Sequence, residues 1–222
     1  MTTVAVIPAF NEATVVGEVV NGCRKFVDTV LVVDDCSSDD TAEVARSAGA
    51  QVLRHSLQRG AGRATTTGLR AALRLEAALI VTLDADGQHL PEEIPSVLDP
   101  LRQQKADLVV GCRSKERHEM PVVRRLGNRF ANLWTWALLG VSVSDTQSGY
   151  RGYTREAATQ LPLDARGYEF CSNSLGEAHR LGLRIAEVPI TVVYTEYSKS
   201  KGQSFAMSVR TLGRIAKEGL RS

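Results

Sequence analysis

Through residues 1–113, short apolar runs rich in β-branched side chains alternate with segments whose apolar residues recur at helical spacing. The pattern predicts strands over 3–8, 29–33, 51–54, 78–83 and 107–111, and helices over 12–25, 38–48, 62–75 and 91–104. In the first of these helices Val15, Val16, Val19, Val20 and Cys23 fall on one face. The runs Leu79-Ile80-Val81 and Leu108-Val109-Val110 show no polar alternation, as expected of strands covered on both sides. Strands separated by helices of such lengths imply an α/β fold, with a mostly parallel central sheet and helices on both faces. After Arg113 the rhythm changes. A basic stretch leads to a helix over 122–139, a turn-rich segment over 145–153, a helix over 169–181, a strand over 185–194 and a last helix over 205–220.

Ligands of such sheets bind outside the carboxyl ends of the strands. Four segments fall there: 9–12, 34–40, 84–89 and 111–113. All are polar or charged. The last turn of the most hydrophobic strand leads into Asp84-Ala85-Asp86-Gly87-Gln88. This spacing lets the carboxylates of Asp84 and Asp86 and the amide oxygen of Gln88 converge on one hard cation, Mg²⁺ or Mn²⁺. Asp34 and Asp35 close the second strand, where a carboxylate accepts hydrogen bonds from a base N–H or a ribose hydroxyl. Capping explains Ser37, Ser38 and Asp39 but not that acidic pair. The segment from Arg59 to Arg63 is a glycine loop before a helix, suited to bring backbone N–H groups and Arg63 towards phosphate. The first strand ends in Pro8-Ala9-Phe10-Asn11-Glu12, where a dinucleotide-binding fold would carry G-x-G-x-x-G.

With 222 residues, a single domain is the simplest organisation. The net charge of +2 gives no overall field for nucleic acid. Positive charge is concentrated late, with six Lys/Arg against two Glu over 113–129 and six against one from Lys199 onward. The four cysteines are scattered without a C-x-x-C pair, which fits a reducing cytosol. No signal peptide is visible, and the uncharged run 130–144 is short for a membrane span.

PAFNE, VVDDCSSDDT, QRGAGRATTTGL and DADGQH, in that order, resemble the family 2 glycosyltransferases of the GT-A fold. The resemblance continues through GCR, RRLGNRFAN, DTQSGYRGY and YSKSKG, and is narrowest to the dolichyl- and polyprenyl-phosphate mannose, glucose and N-acetylglucosamine synthases. It implies one GT-A domain over 1–222, with a nucleotide-sugar half over 1–113 and an acceptor half over 114–222. It implies that Pro8, Ala9, Phe10, Asn11, Glu12, Asp35, Arg63, Asp84, Ala85 and Asp86 line the nucleotide-sugar pocket, with Lys199 or Lys201 reaching the donor diphosphate. Asp84, Asp86 and Gln88 would hold the metal. Arg113, Arg124, Asn128 and Arg151 would cradle the acceptor phosphate, so that Asp86, Arg113, Arg124 and Asp145 carry catalysis. Cys36 and Asp40 depart from a frequent glycine, Asn128 from a frequent serine and Arg63 from a frequent lysine.

The implied reaction is inverting transfer of a hexose from a UDP- or GDP-sugar to a polyprenyl phosphate. A phosphate monoester is already anionic and needs neutralisation and aim, which arginine forks supply. A hydroxyl acceptor would need a base, and Asp145 is then the candidate. Trp134 and Trp136 beside the arginines, and the basic amphipathic stretch 205–220, suit a membrane surface at the cytosolic face. Many relatives continue into transmembrane helices where this chain stops, so two arrangements are expected: a soluble catalytic subunit, with or without a membrane-anchoring partner, or the catalytic part of a longer membrane protein.

Overall fold

The computed structural model describes residues 1–113, 143–162 and 169–193. Its centre is one seven-stranded sheet, in the order β3-β2-β1-β4-β6-β5-β7. The strands are β1 (Thr3–Ala9), β2 (Thr29–Asp34), β3 (Gln51–Arg54), β4 (Leu79–Thr82), β5 (Leu108–Cys112), β6 (Arg151–Thr154) and β7 (Ile185–Pro189). All run parallel except β6, which lies antiparallel between β4 and β5, with Arg151 opposite both Thr82 and Val110. The helices are α1 (Val16–Cys23), α2 (Thr41–Ser47), α3 (Ala61–Arg74), α4 (Ile94–Arg102), α5 (Arg155–Gln160) and α6 (Glu169–Arg180). The expected α/β architecture with a mostly parallel sheet is therefore present.

The buried side chains form two clusters, one on each face of the sheet. One joins Val16, Val19, Val20 and Cys23 of α1 and Ile94, Val97, Leu98 and Leu101 of α4 to Ala5, Ile7, Val32 and Val81. The other joins Leu69 and Ala72 of α3, Ala158 of α5 and Leu175 and Ala178 of α6 to Val4, Val6, Ile80 and Leu108. Burial of β1, β2, β4 and β5 on both faces explains why their sequences do not alternate. The Cys23 thiol sits within the first cluster, and burial pushes its pKa up to about 12.

Helices α1 and α2 start later than their periodicity predicts, for one reason. The N–H groups of Glu12 and Ala13 donate to Thr41 Oγ1 (2.8 Å) and Asp39 Oδ2 (3.2 Å), and that of Asn11 to Ser37 Oγ (2.9 Å). Side chains that would otherwise cap α2 thus stitch the exit of β1 to the exit of β2, leaving α1 to begin at Val16 and α2 at Thr41. The larger difference lies at 151–154, where the turn-rich reading gives way to strand β6. Four residues containing glycine and arginine carry too little apolar pattern to read as a strand, although three of them are buried. The helix α5 that follows is capped by Thr154, whose Oγ1 accepts from Ala157 N. The predicted helices 122–139 and 205–220 lie outside the described residues. Among the described residues no helix is long and apolar enough to cross a membrane.

Gly68 sets how closely α3 approaches the sheet. A Cβ there would stand 2.2 Å from Val6 Cγ1 and 3.2 Å from Val33 Cγ2. Both valines are fully buried in β1 and β2, so neither has room to yield. Gly68→Ala is expected to cost about 3 kcal/mol of folding stability by overpacking, measured by urea unfolding. A loss below about 1 kcal/mol would mean that α3 shifts freely on the sheet.

Candidate active site

Because β6 runs against its neighbours, its first residue shares an edge with the last residues of β1, β2, β4, β5 and β7. That edge gathers Phe10–Glu12, Asp35–Asp40, Asp84–His89, Arg113, 145–150 and 190–193. At its start Pro8 and Ala9 end β1, with Ala9 buried and Phe10 39% exposed. Asn11 adopts a φ of 56°, a left-handed conformation that asparagine tolerates. Its Oδ1 accepts from Ser38 N at 2.9 Å.

Asp35 is buried and its carboxylate is saturated from below. It accepts from Arg59 N (2.9 Å), Gly60 N (2.6 Å) and the His55 ring (2.7 Å), whose other nitrogen meets Thr67 Oγ1 at 2.9 Å. The glycine loop thus presents the N–H groups of Arg59 and Gly60 to Asp35, not to an outside phosphate. Arg63 lies in the first turn of α3. His55, a histidine without a sequence partner at ligand spacing, is here the clasp between β2 and α3. Asp34 is fully buried, with Oδ1 accepting from Ser37 N and Oδ2 lying 3.1 Å from Arg54 Nε.

The DADGQ turn is built to hold two carboxylates together. Gly87 takes a φ of 72°, and Asp86 Oδ1 accepts from Gln88 N at 3.0 Å. Ala85 is buried. Asp84 lies in a recess crowded by protein, yet 48% of its side chain stays open to solvent. Gly149 makes the room, since a Cβ there would meet Asp84 Oδ1 at 2.7 Å. Both carboxyls are raised above the usual range, first by desolvation; Asp86 is raised further by the charge of Asp84, and Asp84 by that of Glu12. Two anions held together against their repulsion suit a divalent cation, which supplies the missing positive charge. Gln88 adds a neutral amide beside them. Among the described residues no group of three His, Cys, Asp or Glu could hold a metal, so a cation here would rest on two carboxylates, with the amide and ligand oxygens completing its shell.

Arg113, one residue beyond β5, faces this pair across the edge. Its Nη2 donates to Asp145 Oδ1 at 2.8 Å and its Nε to Oδ2, giving a fork in which little of either side chain is exposed. Its charge also lowers the proton affinity of Asp84. Arg151 behaves otherwise. It is 1% exposed, and its donors go to Ser148 O (2.9 Å), Thr146 O (2.9 Å) and Ser174 Oγ (2.7 Å). An acceptor phosphate would have to break these bonds to reach it. The arginine instead braces the loop that presents Asp145. Arg124, Asn128, Lys199 and Lys201 lie outside the described residues.

His89 follows Gln88 directly, and its geometry gives it a task apart from the carboxylates. Its Nδ1 accepts from Asp84 N at 3.3 Å, its ring lies 5.1 Å from that of Tyr150, and its backbone bridges to Val192. Burial lowers its pKa from 6.5 to about 4. A depressed folded pKa means that the unfolded chain takes the proton first. The contribution of His89 is therefore complete above about pH 6.5 and is lost as pH falls towards 4. Between pH 7.5 and 4.5 the loss should be about 2–3 kcal/mol. Asp84 and Asp86, with raised values, shift stability the opposite way. The test is therefore the difference between wild type and His89→Asn in urea unfolding at the two pH values. An equal acid response in both proteins would contradict the assignment.

Residues 4–161 match the Glycosyl transferase family 2 profile. The chain belongs to glycosyltransferase family 2. Among family 2 relatives, it is 34% identical to a UDP-N-acetylglucosamine–dolichyl-phosphate N-acetylglucosaminyltransferase of Methanococcus voltae, over 95% of this chain and 93% of that one. It is 35% identical to an undecaprenyl-phosphate mannosyltransferase of Micrococcus luteus, over 90% of this chain and 87% of that one. In fold it is similar to the crystal structure of Mycobacterium tuberculosis glucosyl-3-phosphoglycerate synthase in complex with Mn²⁺, UDP and phosphoglyceric acid. That match has a TM-score of 0.75 and 25% identity, and covers 98% of this chain and 78% of that one. The family 2 assignment and the GT-A fold agree with the motifs read from the sequence, and with membership comes the class of enzyme, a glycosyltransferase.

Proposed function

We propose that this family 2 enzyme transfers a hexose from a nucleoside diphosphate sugar to a polyprenyl phosphate, with inversion at the anomeric carbon. The observation that carries the proposal is the position of Arg113, which follows β5 at the same sheet edge where Asp84 and Asp86 follow β4 and is held there by its fork with Asp145. The carboxylate pair suits the cation and diphosphate of the donor, and the arginine suits an anionic acceptor. An acceptor-phosphate oxygen attacks the anomeric carbon, the bond from that carbon to the diphosphate breaks, and the nucleoside diphosphate leaves with the electron pair. Bound Mg²⁺ or Mn²⁺, held by Asp84, Asp86 and Gln88, would neutralise the charge gathering on that leaving group.

In this reading Pro8, Ala9, Phe10, Asn11 and Glu12 border the nucleotide, and Asp35 with His55 fixes the floor beneath it. Arg113, with Arg124 and Asn128 of the following stretch, aims the acceptor phosphate, and Lys199 or Lys201 meets the donor diphosphate. Arg151 is assigned to the loop it braces. The whole chain works as one catalytic unit at the cytosolic membrane face, aided by its basic segments and a membrane-anchoring partner. The relatives support the acceptor class, while their differing sugars leave the donor to experiment. The fork of Arg113 on both oxygens of Asp145 disfavours Asp145 as a free base for a hydroxyl acceptor.

The test is incubation with farnesyl phosphate, Mn²⁺ and radiolabelled UDP- and GDP-hexoses. Label should pass to the organic phase with one donor, as a glycosyl phosphate of inverted anomeric configuration. Transfer confined to soluble hydroxyl acceptors, with turnover lost in Asp145→Asn, would contradict it.

A further inference from the structure

Glu187 is an exposed acid on edge strand β7, paired in register with Val110 of β5. On sequence it is one charge in an amphipathic strand. Its carboxylate nevertheless accepts from three donors on two other segments. Cys112 Sγ donates to Oε1 at 2.7 Å, Ser144 N donates to the same oxygen, and Ser144 Oγ donates to Oε2 at 3.0 Å. Cys112 immediately precedes Arg113, and Ser144 immediately precedes Asp145. The backbone N–H of Asp145 also meets the Cys112 thiol, closing the cluster.

The two segments so joined are distant in sequence and share no strand pairing of their own, since 144 and 145 lie in a loop. This carboxylate and the Arg113–Asp145 fork tie the start of the Asp145 loop to the end of β5, while Arg151 and the bond from Gly111 N to Tyr150 O hold its later residues. An exposed glutamate that merely kept the edge strand soluble would not collect a thiol, a backbone N–H and a hydroxyl. The fork needs its two halves within a fraction of an ångström of their places, because guanidinium–carboxylate pairing is directional.

We propose that Glu187 is a positioning residue for acceptor binding, setting the separation of the segments that carry Arg113 and Asp145. The inference rests on the reading that Arg113 engages the acceptor phosphate. Removing the carboxylate takes away its bonds to Ser144 and Cys112, lets the start of the loop drift, and leaves Arg113 misaimed. The nucleotide side of the edge, built from β1, β2 and β4, is not touched by Glu187 and should not respond.

The experiment measures KM for farnesyl phosphate, and the affinity for nucleoside diphosphate with Mn²⁺, in Glu187→Ala, Glu187→Gln, Ser144→Ala and Arg113→Ala. Glu187→Ala should raise the acceptor KM about tenfold or more while changing nucleotide affinity less than about twofold. Glu187→Gln keeps an oxygen for Cys112 and Ser144 N and an amide for Ser144 Oγ, so it should bring the acceptor KM back to within about threefold of wild type. Ser144→Ala, which removes the hydroxyl contact to Oε2 and keeps the backbone one to Oε1, should fall between and keeps the test open if Glu187→Ala does not fold. If Arg113→Ala raises the acceptor KM but neither Glu187→Ala nor Ser144→Ala does, the positioning role is wrong and the acceptor reading stands. An unchanged acceptor KM in Arg113→Ala overturns both. Parallel losses of nucleotide and acceptor affinity in Glu187→Ala would mark a general structural role and also overturn the proposal.

Discussion

Asp86→Ala is expected to lower kcat/KM about a thousandfold, a loss of about 4 kcal/mol of transition-state stabilisation. The variant should nevertheless fold at least as well as wild type in the absence of metal. The raised proton affinities of Asp84 and Asp86 mean that the folded chain pays for two neighbouring charges at neutral pH, and deleting one relieves that repulsion. Adding Mn²⁺ should raise the melting temperature of wild type, because the cation binds only the folded arrangement, and should leave Asp86→Ala unmoved. Lost activity with unchanged intrinsic stability and a vanished metal response separates a ligand from a scaffold residue. Activity within about threefold of wild type would remove Asp86 from the metal site.

Arg113→Ala should act on both stability and turnover. Asp145 has little exposed surface, and without its partner it becomes a nearly buried carboxylate missing two of its donors. Removing one partner of such a pair costs about 3 kcal/mol of stability, more than the intact pair contributes. Turnover of the lipid acceptor should fall about a hundredfold or more, mainly through the acceptor KM. Arg113→Lys restores the charge without the fork and should recover stability better than turnover. Steady-state kinetics and urea unfolding on the three proteins check this. Full turnover in Arg113→Ala would place the acceptor phosphate elsewhere.

The sheet was legible because β1, β2, β4 and β5 are buried on both faces and announce it with unbroken apolar runs. The candidate edge was legible in part for the same reason, since 9–12, 34–40, 84–89 and 111–113 each follow such a run, whereas 145–150 and 190–193 do not. What escaped was whatever depends on partners distant in the chain. Strand β6 is four residues long and is made a strand by β4 and β5 on its flanks, not by its own pattern. Arg151 reads as a binding arginine after a tyrosine, and only the fold reveals the carbonyls at 146 and 148 that occupy it. Asp35 reads as a base-binding acid, yet the glycine loop and His55 reach it first, from 20 to 25 positions away. Glu187 gave no signal, and the task of His89 stayed hidden, because their partners, Ser144 and the backbone of Asp84, are set by tertiary structure. A residue's chemistry was visible in its type and strand-end position; the direction of its side chain was not.

The central claim is that Asp84 and Asp86 would together hold a divalent ion that offsets the charge of the departing nucleoside diphosphate. Anomalous diffraction at the manganese edge, from crystals soaked with Mn²⁺ and UDP or GDP, tests it most directly. The account predicts one peak about 2.1 Å from carboxylate oxygens of both aspartates and from diphosphate oxygens. A nucleotide bound with its metal elsewhere on the chain, and no peak between these two side chains, would contradict it.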